Sequence, residues 1–309
     1  MVSAMRTLLL VTLLLSGLPL AAQKIEVSNE IVSSSDFEDS HDNHLGNGYM
    51  DKLKVGFDMP LSVKFTQDKQ PIMWRIMAGA VYGRQSTNGE AKEYNPDDIF
   101  NATVNVMHIR PLKGRWSLLA TVGAGLHTTF DDTSARDIFI NAAAIFSYRH
   151  DQRLSYGVGV ALTNTFGWPL ILPMPYVRYQ AAAAGGKPVV GAWDFDVNFM
   201  GRMQFTAGTW LTERLKLNID GFNMENLHAN VKVDGDYKVY SMSTWKSGVR
   251  PELTIGKKGC LMLAAGWVWR RSVGLADRSW AGFFKSFNRN RRHTFGRSGY
   301  ITIGYSTKL

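Results

Sequence analysis

The sequence has little cysteine and no long apolar run beyond its first residues. Cys260 is its only cysteine, so no internal disulfide can form, and an oxidising compartment is permitted without being indicated. No run of about 18 apolar residues occurs after residue 22, which excludes a membrane-spanning helix in the remaining chain. The chain also lacks a Pro/Ser-rich linker, a low-complexity tract and an internal repeat. We therefore expect one domain, which would enter a membrane only as strands.

The N-terminal segment has the composition of a secretory signal peptide. Arg6 is its only charge, the apolar run Leu8–Leu15 follows, and small residues end it at Ala21 and Ala22. We predict a signal peptide over residues 1–22 with cleavage near Ala22. The next residues, 23–50, are acidic and polar. We interpret them as a flexible N-terminal extension before a barrel domain over 51–309.

Period-two alternation recurs from residue 52 to the C-terminus. Between Leu53 and Phe65 every second residue is apolar. The residues between them are polar or glycine except Pro60, which we expect to mark a bend or bulge. Successive side chains of a strand point to opposite faces, so one face is apolar and the other polar. The same alternation appears in five further segments: 115–129, 138–149, 154–163, 193–199 and 300–309.

The length of these strands and the position of their aromatic residues favour a membrane barrel. The alternating segments run for about 10 to 14 residues, whereas soluble strands average nearer five or six. Aromatic residues near strand ends are typical of interfacial girdles: Trp74, Tyr82, Trp116, Phe130, Tyr148, Tyr156, Trp193 and Trp210. We predict an all-β, closed antiparallel transmembrane β-barrel of about 12 strands, within a range of 10 to 14. A soluble periplasmic β-sandwich is the alternative fold.

Connections are predicted to be short at one end of the barrel and long at the other. Tight turns are expected at Arg149–Arg153 and Thr212–Arg214, and longer polar loops at Gln85–Asp98 and Arg271–Arg297. This asymmetry is typical of outer-membrane barrels.

Short motifs resemble those of an uncharacterised family of Bacteroidota outer-membrane barrels. They are the glycine-rich Tyr156–Val160, the turn Phe166–Pro169, the proline-bracketed Pro173–Pro175 and the strand end Gly266–Arg271. The resemblance spans Leu53 to Leu309 and implies a barrel in the outer membrane of a Gram-negative bacterium. It implies no chemistry, because that family has no assigned activity. The chain departs from many outer-membrane barrels by ending on Leu309 instead of an aromatic residue.

A basic segment near the C-terminus is the first candidate site. Residues 270–297 contain one acid, Asp277, and eight basic residues: Arg270, Arg271, Arg278, Lys285, Arg289, Arg291, Arg292 and Arg297. Because arginine binds phosphate bidentately, we predict that these arginines bind lipopolysaccharide phosphates. The alternative is a solvated loop whose arginines line the barrel rim. Outer-membrane lipids, lipopolysaccharide and, during biogenesis, the barrel-assembly machinery are the expected partners; nucleic acid is not.

Polar residues on the inner strand faces are the second candidate site: Arg115, His127, Arg149, Asp194 and Asp196. They would either filter solutes or pair with one another and plug the interior. The sequence leaves both open.

The expected function is a narrow channel, or a surface or structural protein, without catalysis. A lipid-modifying outer-membrane enzyme is the alternative. It would depend on His127, although no G-x-S-x-G nucleophile motif occurs. The acidic and histidine-containing stretch 36–44 has no spacing that fixes a metal site. We assign no catalytic residue, metal or cofactor.

Overall fold

The computed structural model describes residues 24–131, 133–165, 168–180, 188–198, 203–233, 235–282 and 293–308. About three quarters of them lie in strands. The first eight strands are β1 Lys24–Glu38, β2 His44–Phe65, β3 Pro71–Thr87, β4 Asp98–Pro111, β5 Trp116–Thr128, β6 Ile138–Arg149, β7 Leu154–Thr163 and β8 Leu170–Gln180. The others are β9 Trp193–Asn198, β10 Met203–Trp210, β11 Leu215–Val233, β12 Asp236–Ile255, β13 Gly259–Asp277, β14 His293–Phe295 and β15 Ser298–Lys308. One helical turn, α1 (Ala91–Tyr94), and a 3-10 turn at Ala135–Asp137 lie in loops.

The strands form a single closed antiparallel sheet. Neighbours in the sequence are neighbours in the sheet, and β1 pairs with β15 from Lys24↔Lys308 to Val32↔Tyr300. The short strand β14 shares the position of β15 between β1 and β13, so the barrel has fourteen strand positions. Closure pairs the backbone groups that open edges would leave unsatisfied in hydrocarbon. The predicted all-β closed barrel is confirmed, with fourteen strands where we expected about 12, and a single closed sheet rules out the two-sheet sandwich.

The first strand lies where we predicted a flexible extension, and that prediction was wrong. Residues 24–38 form β1, and β2 already begins at His44. The register of β1 against β2 shifts between Val32 and Ser35. Such a bulge reverses which residues face outward, so the alternation breaks within the strand. The predicted signal peptide, with its cleavage site near Ala22, lies outside the described residues.

The outer surface of the barrel is apolar, as the alternation indicated. Val158, Ile140 and Ile303 are 68%, 56% and 55% exposed, which is the arrangement expected where lipid covers the wall. Exposed aromatic residues lie near both ends of the strands: Trp74, Trp116 and Trp193 at one end, and Tyr82, Trp267 and Trp269 at the other. In the described part of the chain, no helix is long and apolar enough to cross a membrane.

The two ends of the barrel differ in the length of their connections. Most turns at the end that carries both termini are short: 66–70, 112–115, 150–153, 211–214 and 256–258. At the opposite end the connections 88–97 and 129–137 are longer. The tight turns predicted near 149–153 and 212–214 are present. By the usual asymmetry of bacterial barrels, the long-loop end is the extracellular one.

One of the short turns is fixed by its own carboxylate. The Asp151 side chain accepts hydrogen bonds from the backbone N–H groups of Leu154 and Arg153, at 2.8 and 2.6 Å. These bonds stabilise the ionised form and hold the pKa of Asp151 below its usual range. The turn therefore keeps this contribution above the ordinary aspartate pKa and loses it as the pH falls through the lowered pKa.

Two local irregularities shape the wall. The β2–β3 register shifts between Pro60 and Ser62, which is the bulge that Pro60 predicted. On β7, a Cβ atom added to Gly159 would lie 2.2 Å from the carbonyl oxygen of Ala144 on β6. Only glycine allows the two backbones to approach this closely. The glycine-rich motif of β7 therefore serves the close packing of neighbouring strands.

The barrel is tall on one side and low on the other. Strands β1–β3 and β11–β13 have 15 to 22 residues, whereas β6–β10 have 6 to 12. The tall strands enclose an apolar core at the long-loop end, which we call the dome core: Val32, Phe37, Met50, Ala91, Ile99, Leu227, Ala229, Tyr240, Met242, Ala264, Val268, Val273, Phe295 and Tyr300.

Strand β11 crosses the interior to complete this tall side. Its pairing with β10 ends at Met224, but β11 continues to Val233. Beyond that point Asn101 of β4 binds the backbone of His228: its amide donates to the carbonyl oxygen at 2.5 Å and accepts from the N–H at 3.1 Å. A single parallel bridge also joins Asn230 to Thr128 of β5. These contacts bring the long-loop half of β11 against β4 and β5, and its residues Leu227 and Ala229 belong to the dome core.

Candidate functional site

Five charged side chains meet inside the barrel, and we call them the buried ion cluster: Glu30, Lys52, Lys54, Glu225 and Lys246. They come from β1, β2, β11 and β12. Glu30 and Lys52 lie two residues before or after dome-core residues on the same strand faces, so the cluster adjoins the dome core.

Two carboxylates connect the three lysines of the cluster. Glu225 lies 2.8 Å from Lys54 Nζ and 3.1 Å from the Nζ atoms of Lys52 and Lys246. Glu30 forms ion pairs with the ammonium groups of Lys52 and Lys246. Thr302 donates a hydrogen bond to Glu30 at 3.2 Å.

Three of the five side chains in this cluster are almost completely buried, so their charges depend on one another. The side chains of Glu30, Lys52 and Lys246 are only 2%, 2% and 5% exposed. A buried charge that loses its partner is strongly destabilising, so the five groups must stay together. Because they join β1–β2 to β11–β12 across the interior, they fill the lumen on the tall side of the barrel.

A second set of ion pairs lies further along the same inner faces. Arg250 of β12 binds both carboxylate oxygens of Asp220 on β11, at 2.9 and 3.1 Å, in the bidentate geometry that arginine favours. Arg250 also forms an ion pair with Glu252, and Thr206 donates to Asp220 at 2.9 Å. This part of the interior is also filled by mutually paired groups.

The lumen-facing charges on β8, β9 and the start of β11 form a third set, in which solvent reaches the pair Arg178 and Asp196 most. Lys216 Nζ lies 3.0 Å from Asp194, and Arg178 Nε lies 3.7 Å from Asp196. The side chains of Arg178 and Asp196 are 50% and 35% exposed, and those of Lys216 and Asp194 are 21% and 16% exposed. We call these four residues the open-side charges. They lie on the low side of the barrel, away from the dome core.

The predicted lumen residues fall into three places. Asp194 and Asp196 face the lumen as open-side charges. His127 faces inward but is buried, with its ring 4.9 Å from Phe139 and 6.3 Å from His228. Arg115 lies in a turn and donates to the carbonyl oxygen of His150 at 2.6 Å, and Arg149 is exposed where β6 ends at the same rim.

The predicted anion-binding arginines do not share one surface. Arg271 is fully buried, donates to the carbonyl oxygen of Gly48 at 2.8 Å, and lies over the Phe295 ring. That placement removes Arg271 from any external anion site. Arg278 donates to the carbonyl oxygen of Arg136 and to Asn230.

The remaining arginines of that segment are exposed or not described. Arg270 and Arg297 are both exposed at the surface. Arg289, Arg291 and Arg292 lie outside the described residues.

The sequence reasoning missed the buried ion cluster. Lys52 and Lys54 lie on the polar face of a predicted strand, and this position indicated that they face the lumen. Glu30 was hidden in the segment assigned to the extension, and nothing in the sequence paired Glu225 with lysines more than 170 positions away. Among the described residues, no group of three or more His, Cys, Asp or Glu side chains is placed to hold a metal ion.

Together, the closed sheet, the apolar outer wall and the charged interior define an integral outer-membrane-type β-barrel with a partly filled lumen. Residues 19–308 match one family, described as a domain of unknown function, DUF6268, and the chain belongs to that family. The Bacteroidota origin that the motifs suggested stays a prediction. No curated protein matches the chain significantly.

Solved barrels resemble the chain at low sequence identity. An outer-membrane channel from Pseudomonas putida F1 is 11% identical, with a TM-score of 0.46, covering 94% of this chain and 96% of that one. The Pseudomonas putida toluene transporter TodX is 10% identical, with a TM-score of 0.38 and coverage of 96% and 91%. The Escherichia coli outer-membrane protease OmpT is 9% identical, with a TM-score of 0.31 and coverage of 94% and 97%. At this similarity no activity transfers to this chain.

Proposed function

We propose that the chain is a narrow channel of the Gram-negative outer membrane, and that small hydrophilic solutes pass along the low side of its lumen. The observation that carries the proposal is the contrast between the two sides. On the tall side the side chains of Glu30, Lys52 and Lys246 are only 2%, 2% and 5% exposed. On the low side Arg178 and Asp196 are 50% and 35% exposed.

The lining of the low side suits a polar passage. The inward positions of β7 are small, among them Ser155, Gly157, Gly159 and Ala161, and all are partly accessible. Small side chains leave room in a barrel whose larger residues would otherwise fill it. The open-side charges, two acidic and two basic, would then set which ions pass.

Conductance of the refolded protein in a planar lipid bilayer tests the proposal. The wild type is expected to give discrete conductance steps. Replacing both open-side acids, in Asp194→Asn with Asp196→Asn, leaves Arg178 and Lys216 uncompensated and should shift the reversal potential in a salt gradient toward anion selectivity.

A matched control removes two carboxylates that do not face the lumen. Asp51 accepts a hydrogen bond from Asn29, and Asp98 accepts one from Tyr82, both on the outward face. Asp51→Asn with Asp98→Asn should leave the reversal potential unchanged. A wild-type protein that folds but never conducts would refute the channel and leave a surface or structural role.

No observation favours the enzymatic alternative. The ring contacts of His127 are with Phe139 and His228, and no hydrogen bond joins His127 to a serine in the described part of the chain. A catalytic Ser/His pair needs such a bond within reach.

A further inference from the structure

The outward face of β13 carries a local irregularity at the long-loop end. Lys246 pairs with Val268 and Trp245 pairs with Arg270, so Trp269 is an extra residue in the strand. A bulge of this kind re-aims side chains. As a result Trp269 and Arg270 are both exposed on the outside, whereas Val268 and Arg271 on either side of them are buried.

A second arginine reaches the same spot from the neighbouring strand. The pairs Arg271↔Phe295 and Val268↔Ser298 place residues 269–270 opposite residues 296–297. Arg297 is exposed, and its guanidinium carbon lies 5.7 Å from the centre of the Trp269 ring. The indole is itself held by a 2.8 Å hydrogen bond from Nε1 to Ser247 Oγ. Two exposed arginines and a fixed indole therefore share one external patch.

The charges of this patch are not neutralised within the described residues. Neither Arg270 nor Arg297 forms an ion pair there. The nearest acid along the adjoining strand is Asp36, whose backbone carbonyl accepts from Gly296 and whose carboxylate lies 3.8 Å from His44 Nδ1. The patch thus presents a net positive charge toward the surroundings of the barrel.

The patch lies at the membrane interface. Trp267 and Trp269, 62% and 50% exposed, belong to the aromatic belt of the long-loop end, where rings lie at the level of the lipid headgroups. Arginine side chains at that level extend toward phosphate. In bacterial outer-membrane barrels the long-loop end is extracellular, and the lipid that surrounds that end is lipopolysaccharide.

We propose that Trp269, Arg270 and Arg297 form a binding site for a lipopolysaccharide phosphate on the outer wall of β13. The two guanidinium groups hold the phosphate oxygens through charge-assisted hydrogen bonds. Of the arginines predicted from the sequence to bind phosphate, this site uses only Arg270 and Arg297, and it excludes Arg271. The site lies outside the lumen, so its test is independent of whether the barrel is a channel.

Binding of lipopolysaccharide to the full-length barrel in phosphatidylcholine nanodiscs tests the site. We expect the double variant Arg270→Gln with Arg297→Gln to bind at least about tenfold more weakly than the wild type, because two charge-assisted contacts are lost. The control is Arg110→Gln with Arg153→Gln, which removes two exposed arginines at the opposite end and should bind as the wild type does. The gel mobility of unboiled samples verifies that each variant is folded.

The ligand is varied in a second arm of the experiment. Lipopolysaccharide stripped of its phosphates should bind the wild type as weakly as native lipopolysaccharide binds the double variant. Equal affinity of the double variant and the wild type, or equal affinity for native and dephosphorylated lipopolysaccharide, would overturn the site. Tight binding of inorganic phosphate alone would overturn its assignment to a lipid.

Discussion

Glu30 shows how a single residue controls the interior of this barrel. Its side chain is 2% exposed and binds two lysines and a threonine hydroxyl. Burying such groups is costly, and the cost is offset only while each charge keeps its partners. Intramembrane charges of this kind are expected at functional positions. Here they fill one side of the lumen.

The first prediction compares two Glu→Gln substitutions on β1. Glu30→Gln leaves Lys52 and Lys246 short of negative charge and should lower the free energy of unfolding by about 3–5 kcal/mol. The Glu26 side chain is 43% exposed and lies 2.7 Å from Lys24 Nζ, so Glu26→Gln should lower the free energy of unfolding by no more than about 1 kcal/mol. Urea unfolding in lipid vesicles measures both. Similar losses in the two variants would show that the cluster does not stabilise the barrel.

At the scale of elements, the far half of β11 is the unusual feature. This half extends beyond its pairing with β10 and lies against β4 and β5. Polar contacts from Asn101 and the bridge between Asn230 and Thr128 hold it there. An unpaired strand edge exposes backbone donors and acceptors, and these contacts satisfy part of that edge. The far half of β11 also contributes Leu227 and Ala229 to the dome core.

The second prediction tests that crossing with a disulfide. In a Cys260→Ser background, Thr128→Cys and Asn230→Cys should form a disulfide on oxidation, because paired residues bring their Cα atoms within the range that a disulfide spans. Faster migration on a non-reducing gel reports the bond. Conductance should persist in the oxidised protein, since the proposed path lies on the other side of β11.

A control pair places the second cysteine four residues earlier on β11. Asn226 is displaced by about 13 Å along the strand, so Thr128→Cys with Asn226→Cys should stay reduced. Equal cross-linking of both pairs would mean that β11 does not hold the position described.

At the scale of the whole molecule, one closed sheet accounts for the apolar surface. The exposed residues Val158, Ile140 and Ile303 would be unfavourable in water over so large an area. Lipid covers them without a second sheet, and closure leaves no edge. The same closure brings β1 and β15, the first and last strands, together.

The third prediction concerns the intact barrel. In detergent, the unboiled protein should migrate at a different apparent mass from the boiled protein, because the closed sheet stays compact until heated. A protein that remained soluble without detergent and migrated identically in both states would contradict the lipid-covered wall.

The sequence by itself determined the fold class, the faces of most strands and the bulge at Pro60. These features are local: alternation and proline chemistry act within a few residues. It failed for β1, because the bulge after Val32 interrupts the alternation that identifies a strand. It also expected about 12 strands where there are fourteen, since β1 was assigned to the extension and the short strand β10 carries little periodic signal.

Only the tertiary structure decided which charges meet. Glu30, Lys52, Glu225 and Lys246 all lie on the inner faces of their strands. Which of them come into contact depends on the number of strands and on their register, and closure of the barrel sets both. The same holds for Arg271, which is buried next to an exposed Arg270 because the bulge at Trp269 reverses the alternation of the residues that follow it. The local alternation of residues predicts which face of a strand a side chain occupies. Its contact partners lie on the other side of the lumen, and no local pattern encodes the width of the lumen.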